Sequence, residues 1–260
     1  DRMNPTITFG DDHSVSADLA WLWITCHDWP HWHLDILTAV VPPLGPVAQE
    51  RAQTHEWTSP HPRRVHTDLG FDDVTHLAID EDPRLALSRA TDLLVIGPRG
   101  PGVFKALHLG STAEWLLSRP PSPMLIPRHG RTTRTALICH DGSAHAEKAT
   151  ATLARLPWVN QLEITVVTVD DGRTDPEAAV ASAMQMLTTP MHHLQLTGDP
   201  TQELLQHLEQ HPVDLVVFGT RGLTGIRRLR VGSTAAVLAH AIDHSILIAC
   251  DDAVDPDPSL

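Results

Sequence analysis

The sequence predicts two tandem α/β domains, each built on a doubly wound parallel sheet. Residues 92–117 and 214–239 align without a gap and share the pattern Gly-x2-Gly-x9-Gly-Ser-Thr. Other segments recur in the same order in both halves of the chain. The apolar runs between them are short and rich in Val, Ile and Leu, as buried parallel strands are. Together these observations indicate a duplicated domain.

Each half predicts the order strand, helix, strand, short helix, strand, helix, strand, loop, helix, strand. The first strands end in Asp-x-Ser, in TITFGDDHS and TALICHDGS, and the second strands follow in WHLDILTAVV and NQLEITVVTV. Asp82-Pro83 and Asp199-Pro200 predict helix N-caps followed by proline at the first helical position. The segment 143–156 has helical spacing, and the proline-rich region 42–70 predicts only a brief helix. We expect the domains at residues 4–129 and 133–251.

The composition restricts the classes of partner. The 260 residues are 42% hydrophobic and carry a formal charge of -13, with no basic face in either half. This balance argues against nucleic acid or an anionic membrane as the main partner. No apolar stretch approaches the roughly 18 residues needed to cross a bilayer, and no signal peptide is predicted. Three distant cysteines, Cys26, Cys139 and Cys250, predict reduced thiols and a cytoplasmic location.

The glycine connector follows the fourth strand of each half, at Gly97 and at Gly219. Ligands of open α/β sheets bind beyond the carboxyl ends of the strands, and glycine allows close approach of the backbone. Gly232-Ser233-Thr234 then begins a helix, whose unpaired N–H groups suit phosphate. The connector is neither a P-loop nor a dinucleotide fingerprint. The alternative is a flexible turn with solvated arginines, which two copies in register make less favourable.

This pattern, the Asp-x-Ser of the first strand and the GDP before the third helix resemble the universal stress protein family, over nearly the whole chain and twice. The resemblance implies a Rossmann-like fold that binds adenine nucleotide, usually ATP with a divalent metal such as Mg²⁺ or Mn²⁺. It also implies pairing of domains through their last strands, here as an internal pseudo-dimer, with a homodimer as a further option. It implies no known catalytic reaction, although slow ATP turnover is compatible with it. Some members bind no nucleotide.

The family's functional residues carry over to both halves of the chain. In the second half, Asp141 would lie at the adenosine end and Val169 would contact the base through its backbone. The ribose and phosphates would be lined by Gly219, Arg221, Gly222, Gly232, Ser233 and Thr234. The matching positions of the first half are Asp12, Val40, Gly97, Gly100, Gly110, Ser111 and Thr112. For Asp12 and Asp141 the alternative is a helix N-cap or a turn residue.

The two copies differ in ways that favour the second as the tighter ATP site. Pro98 and Pro101 stand where the second loop has Thr220 and Leu223, and proline has no N–H to donate. This weakens the first cradle unless those N–H groups do not face the ligand. The second loop also carries more arginines, namely Arg221, Arg227, Arg228 and Arg230 against Arg99 and Lys105. His13 replaces the glycine of the second Asp-x-Ser turn, which could crowd the first site.

Other candidate sites are weaker. The stretch CHDWPHWH, residues 26–33, has mixed Cys and His, but its spacing matches no standard zinc finger. Packing by Trp29 and Trp32 is the favoured interpretation, and no metal ligands are assigned. No convincing nucleophile–base pair is present. The main hypothesis is therefore a stress-response protein that binds ATP as a signal. Its alternatives are a nucleotide-free interaction scaffold and a slow ATP hydrolase or phosphotransferase.

Overall fold

The structure is a computed structural model that describes residues 4–39, 64, 69–99, 109–118, 120–221 and 232–249. The chain divides into two compact units, residues 1–132 and 133–260. Each unit is described by itself. Val40, Gly100 and Gly222 of the predicted sites lie outside the described residues, as do Lys105, Cys250 and most of the glycine connectors.

The first unit contains five strands and three helices among its described residues. The strands are β1 Thr6–Gly10, β2 His33–Ala39, β3 Asp73–Ile79, β4 Leu93–Ile96 and β5 Met124–Ile126. The helices are α1 Val15–Thr25, α2 Pro83–Ala86 and α3 Ser111–Ser118. The predicted Asp82 cap of α2 is confirmed, since its side chain accepts the N–H of Arg84 and Pro83 begins the helix.

The second unit contains the full predicted order of elements. Its strands are β6 Thr135–Cys139, β7 Glu163–Asp170, β8 Met191–Thr197, β9 Leu215–Gly219 and β10 Ser245–Ala249. Its α-helices are α4 Ala144–Ala154, α5 Pro176–Met186, α6 Pro200–Gln210 and α7 Ser233–Ala241. Asp199 caps α6 by accepting the N–H of Gln202, as predicted. The predicted short helix, α5, spans 11 residues. It begins as α2 and α6 do, with an N-cap aspartate followed by proline, here Asp175 and Pro176.

The strands of each unit are parallel and follow one topology. In the first unit their order is β3-β2-β1-β4-β5, and in the second it is β8-β7-β6-β9-β10. The order reverses beside the first strand of each unit, where β1 lies between β2 and β4 and β6 lies between β7 and β9. In a doubly wound sheet this reversal opens a crevice at the carboxyl ends of the strands. The predicted fold class is confirmed.

The two cores differ in composition. The first unit buries an aromatic group in which the Trp29 ring lies 5.9 Å from Trp23, 5.7 Å from Trp32 and 5.9 Å from Phe71, centroid to centroid. The core strands of the second unit are mainly aliphatic, with β6, β7 and β9 supplying fully buried Ile, Leu and Val. Aromatic burial of this kind accounts for the stretch of residues 26–33, where His27 Nδ1 also binds the Trp23 carbonyl oxygen at 2.7 Å.

Two further sequence expectations have counterparts in the described residues. Cys26 and Cys139 are both free thiols, while Cys250 lies outside the described part. Among the helices that the structure describes, none combines the length and apolar character needed to cross a membrane.

Candidate functional site

The turns after β1 and β6 place the two Asp-x-Ser motifs at the carboxyl edge of each unit. Asp12 Oδ1 accepts the N–H of Ser14 at 3.0 Å, and Asp141 Oδ1 accepts the N–H of Ser143 at 3.0 Å. Asp12 is exposed and Asp141 is half-buried. Both aspartates therefore act as turn residues, which is the alternative that the sequence left open. This role engages one carboxylate oxygen of each.

The serines of these motifs have a role that the sequence interpretation missed. Ser14 and Ser143 are the N-caps of α1 and α4, accepting the N–H of Ala17 and Ala146. Their hydroxyls also donate to the carbonyl oxygens of the loop arginines, at 3.4 Å for Arg99 and 3.2 Å for Arg221. Each serine thus joins a helix start to the first residues of a glycine connector. A serine directly before a helical run was the available signal.

The first glycine of each connector is needed for packing between a strand and a helix. A Cβ added to Gly97 would lie 2.6 Å from the carbonyl carbon of Ser16, in the first turn of α1. A Cβ added to Gly219 would lie 2.6 Å from the carbonyl carbon of His145, in the first turn of α4. Because these neighbours are backbone atoms, neither site has space for a side chain. The sequence interpretation assigned both glycines to the ligand, whereas the structure gives them a steric reason.

The base of each connector is closed by one hydrogen bond. The N–H of Gly110 donates to the Pro98 carbonyl oxygen at 2.7 Å, and the N–H of Gly232 donates to the Thr220 carbonyl oxygen at 2.7 Å. The residues that flank the two connectors are therefore joined by the same hydrogen bond in both units.

The structure corrects the argument about Pro98. The N–H of Thr220 donates to the Ala249 carbonyl oxygen at 2.9 Å, which continues the pairing of β9 with β10. It is therefore not a donor to a ligand, and Pro98 removes a sheet-end bond rather than a phosphate contact. The expectation that Pro98 weakens the cradle by losing a donor is wrong. The comparison of Pro101 with Leu223 lies outside the described residues.

The side chain of Thr220 has its own partner. Its buried hydroxyl lies 3.1 Å from His145 Nδ1, in the first turn of α4. This contact fixes the start of the second connector against α4, beside the Ser143–Arg221 hydrogen bond. The first unit has Ser16 and Pro98 at the corresponding places, so it lacks a matching hydroxyl–imidazole pair.

The N-terminus of α7 differs from those of the other α-helices of its unit. α4, α5 and α6 are capped by the side chains of Ser143, Asp175 and Asp199. Gly232 is the N-cap of α7, with φ -69° and ψ 155°, and offers no side-chain hydrogen bond. The first N–H groups of a helix then need another acceptor. The start of α7 therefore has no side-chain cap and carries partial positive charge.

Residues next to this helix start complete the candidate site. Ser233 is exposed, and Thr234 is half-buried with its hydroxyl 2.9 Å from that of Thr201 on α6. Arg221 is half-buried, and among the described residues its Nε has no hydrogen-bond partner. In the first unit Ser111 is exposed, Thr112 is half-buried and Arg99 is exposed.

The parallel strands bring the remaining predicted residues to the same edge. β6, β7 and β9 are neighbours, so Asp141, Val169 and Gly219 lie at their carboxyl ends. Val169 is buried on β7, with Leu196 of β8 as its register partner. Within the described ranges, no three His, Cys, Asp or Glu side chains are grouped in a way that could hold a metal ion.

Comparison with known proteins adds sequence similarity to this geometry. A family model described as the universal stress protein family matches residues 188–249, from β8 to the end of β10. The universal stress protein Slr1230 of Synechocystis sp. (strain ATCC 27184 / PCC 6803 / Kazusa) is 30% identical over 152 residues. In sequence, the matched part of the chain is therefore similar to the universal stress protein family. The alignment with Slr1230 covers 56% of this chain and 53% of that relative, so the chain matches about half of the length of Slr1230.

Solved structures agree with the fold of this chain. The crystal structure of a universal stress protein from Archaeoglobus fulgidus DSM 4304 has a TM-score of 0.69 at 16% identity, covering 95% of this chain and 99% of that one. The functionally unknown protein PA1789 from Pseudomonas aeruginosa PAO1 has a TM-score of 0.60 at 15% identity, covering 97% and 95%. At these identities the likeness concerns the fold alone.

Proposed function

We propose that the second unit binds an adenine nucleotide, ATP, at the carboxyl edge of its sheet, and that the protein acts as a stress-response signalling protein in the cytoplasm. The observation that carries the proposal is the N-terminus of α7, which lacks a side-chain cap and begins at Gly232, bonded to the carbonyl oxygen of Thr220. The next residue, Arg221, has a buried Nε with no hydrogen-bond partner among the described residues. Helix N–H groups and an arginine guanidinium are the donors that phosphate prefers. Both have donor capacity that the described protein groups leave unused.

The rest of the nucleotide would lie along the crevice between β6, β7 and β9. Asp141 and Val169 stand at the end of the crevice that the family resemblance gives to the adenosine. Gly232, Ser233 and Thr234 stand at the end that it gives to the phosphates. A divalent cation would arrive with the phosphates, so binding is best measured with Mg²⁺, with Mn²⁺ and with neither.

For the first unit we propose the second candidate function, a nucleotide-free interaction module. Arg99 is exposed where Arg221 is half-buried, and His13 stands where the second unit has Gly142. An exposed guanidinium is already hydrated and contributes less to phosphate binding than a partly buried one. We therefore expect one ATP per chain.

Calorimetric titration of the full chain with ATP tests both proposals, using Gly232→Val and the matched Gly110→Val variant. A side chain at the helix start would occupy the approach of the phosphate, so Gly232→Val should weaken binding by tenfold or more. Gly110→Val should change the affinity less than threefold. The second unit would lose its assignment if Gly110→Val abolished binding and Gly232→Val kept it. Absence of binding by the unmodified chain would leave the scaffold hypothesis for both units.

A further inference from the structure

His140 follows β6 directly and lies beneath the turn that carries Asp141. It is 2% exposed, and its Nδ1 accepts the N–H of Gly142 at 3.1 Å. An accepting Nδ1 places the ring proton on Nε2 and makes the imidazole neutral. Nε2 is buried without a hydrogen-bond partner. The neutral ring is therefore part of the hydrogen bonding that shapes this turn.

The turn held by His140 connects three parts of the candidate site. Gly142 adopts the left-handed conformation, with φ +81°. Asp141 accepts the next N–H, that of Ser143, and Ser143 caps α4 and donates to the Arg221 carbonyl oxygen. A change at His140 would thus reach both the aspartate at the adenosine end and the arginine at the start of the glycine connector.

Protonation would remove this support. A proton on Nδ1 faces the N–H of Gly142, so two donors meet and the hydrogen bond is lost. The charged groups that act on His140 are Asp141 in its own turn and Glu147 on α4, and both favour the proton. Ser182 of α5 donates to Glu147 Oε1 at 2.6 Å. Burial outweighs these carboxylates and lowers the pKa of His140 below its usual value.

The first unit contains an internal control for this arrangement. Asp11 occupies the position of His140, and its Oδ1 accepts the N–H of His13 at 3.0 Å. Asp11 also forms a buried ion pair with Arg64, with Nε to Oδ2 at 2.8 Å. The same turn is therefore held by an imidazole in one unit and by a carboxylate that is paired with arginine in the other.

We propose that His140 is a positioning residue of the second unit's nucleotide site, and that ATP affinity falls when its imidazole takes up a proton. The proposal rests on the proposed function of this site. The proposal predicts that the second unit of this chain holds less ATP as the pH falls. One side chain, which need not touch the nucleotide, would cause this decrease.

The test compares ATP affinities of the full chain at pH 7.5 and pH 5.5 for the unmodified protein, His140→Asn and His192→Asn. Asparagine can accept the Gly142 N–H and does not titrate, while His192 is an exposed histidine on β8. Phosphate itself takes up a proton near pH 6, so the slopes are compared between variants. Because burial lowers the pKa of His140 below its usual value of 6.5, uptake of one proton changes the affinity by less than about tenfold between these pH values. The unmodified protein and His192→Asn should therefore lose several-fold more affinity than His140→Asn. Equal losses in all three would overturn the proposal.

A second measurement needs no nucleotide. Amide hydrogen exchange at Gly142, corrected for the intrinsic pH dependence, should accelerate at least tenfold between pH 7.5 and 5.5 in the unmodified chain and not in His140→Asn. If ATP fails to bind at pH 7.5, the proposed function fails, and the exchange result still judges the turn. Unchanged protection of Gly142 at pH 5.5 would refute the role of His140.

Discussion

In the turns after β1 and β6, the same backbone N–H groups donate to side chains at matching positions, but one of these side chains differs between the units. The residue in the left-handed conformation is His13 in the first unit, with φ 59°, and Gly142 in the second. The amide of that residue is accepted by a carboxylate of Asp11 in one case and by an imidazole of His140 in the other. A left-handed non-glycine residue costs roughly 1–2 kcal/mol. The first unit therefore tolerates a strained residue where the second keeps glycine, which shows that this turn geometry is preserved across different side-chain chemistry.

The difference extends behind the turn. Arg64 bridges Asp11 and Asp18 in the first unit and lies over the rings of Phe9 and Trp21, at 5.6 and 5.7 Å from their centroids. At the place of Asp18 the second unit has Glu147, which accepts a hydroxyl rather than pairing with an arginine. The first unit thus has a buried arginine–carboxylate network behind the turn, whereas the second has a hydroxyl–carboxylate hydrogen bond there and an imidazole in the turn itself.

The largest expected effect is the loss of this charge network. In Arg64→Met, Asp11 would remain 1% exposed without a counter-ion, so we expect a loss of about 3–5 kcal/mol in the free energy of unfolding. Arg89→Met is the matched control, because the Arg89–Glu81 pair is exposed and is worth less than about 1 kcal/mol. Urea denaturation at pH 7.5 measures both.

The combination of Arg64→Met with Asp11→Asn should recover part of that loss, since it removes the unpaired charge. If Arg64→Met costs no more than Arg89→Met, the buried network does not distinguish the two units.

Substitution of either strand-end glycine, Gly97 or Gly219, should lower the free energy of unfolding by less than Arg64→Met does, and by the same amount in both units. Gly97→Ala and Gly219→Ala each force a methyl group against helix backbone, and overpacking of this kind costs roughly 1–3 kcal/mol. Gly10→Ala is the control, because its methyl group would meet only the side-chain ends of Leu87 and Ile96. Thermal and urea denaturation should rank Gly10→Ala as the mildest variant. A neutral Gly219→Ala would contradict the steric reason given for this glycine.

The smallest effect concerns stability in mild acid. Burial lowers the pKa of His27 in the first unit and of His140 in the second. The unfolded chain then takes up these protons at a higher pH than the folded chain, so stability is constant above about pH 7.5 and falls as the pH drops below about 6.5. The slope for each histidine is at most about 1.4 kcal/mol per pH unit.

Urea denaturation between pH 5 and 8 measures this slope in His27→Gln, His140→Asn and the double variant. Each single variant should reduce the slope of the unfolding free energy against pH by the equivalent of up to one proton. The double variant should reduce this slope by the sum of the two single effects. A slope that neither substitution changes would assign the pH dependence to other groups.

The fold was predictable because the duplication displays each element twice. The repeated apolar runs give strands, and Asp82-Pro83 and Asp199-Pro200 give helix starts that depend on local chemistry alone. The Asp-x-Ser turns were predictable as positions at the carboxyl edge, but the division of roles between aspartate and serine was not. Which of two neighbouring oxygens caps a helix depends on backbone angles that the pattern does not specify.

Other features depend on contacts between distant residues. Arg64 lies within a proline-rich stretch without periodicity, and its partner Asp11 is 53 positions away. The N–H of Thr220 donates to the carbonyl oxygen of Ala249. Comparing Thr220 with Pro98 in the sequence could not show that the hydrogen bond missing in the first unit is one between strand ends. His140 is one of 18 histidines, and only its burial and the Gly142 bond distinguish it. Tertiary burial, rather than residue type, decides each of these roles.

The closure of both glycine connectors has a consequence for how such a protein can change. Residues 99–109 and 221–231 are of equal length and leave their units at carbonyl–amide pairs of the same 2.7 Å separation. The hydrogen bond that flanks each segment joins backbone atoms of matching residues, so it does not depend on side chains within the segment. After duplication, substitutions inside one segment would leave the atoms of this hydrogen bond unchanged. A chimaera that carries residues 221–231 in place of residues 99–109 would transfer the arginines of the second loop into the first unit as a block, and ligand preference could then evolve separately from folding.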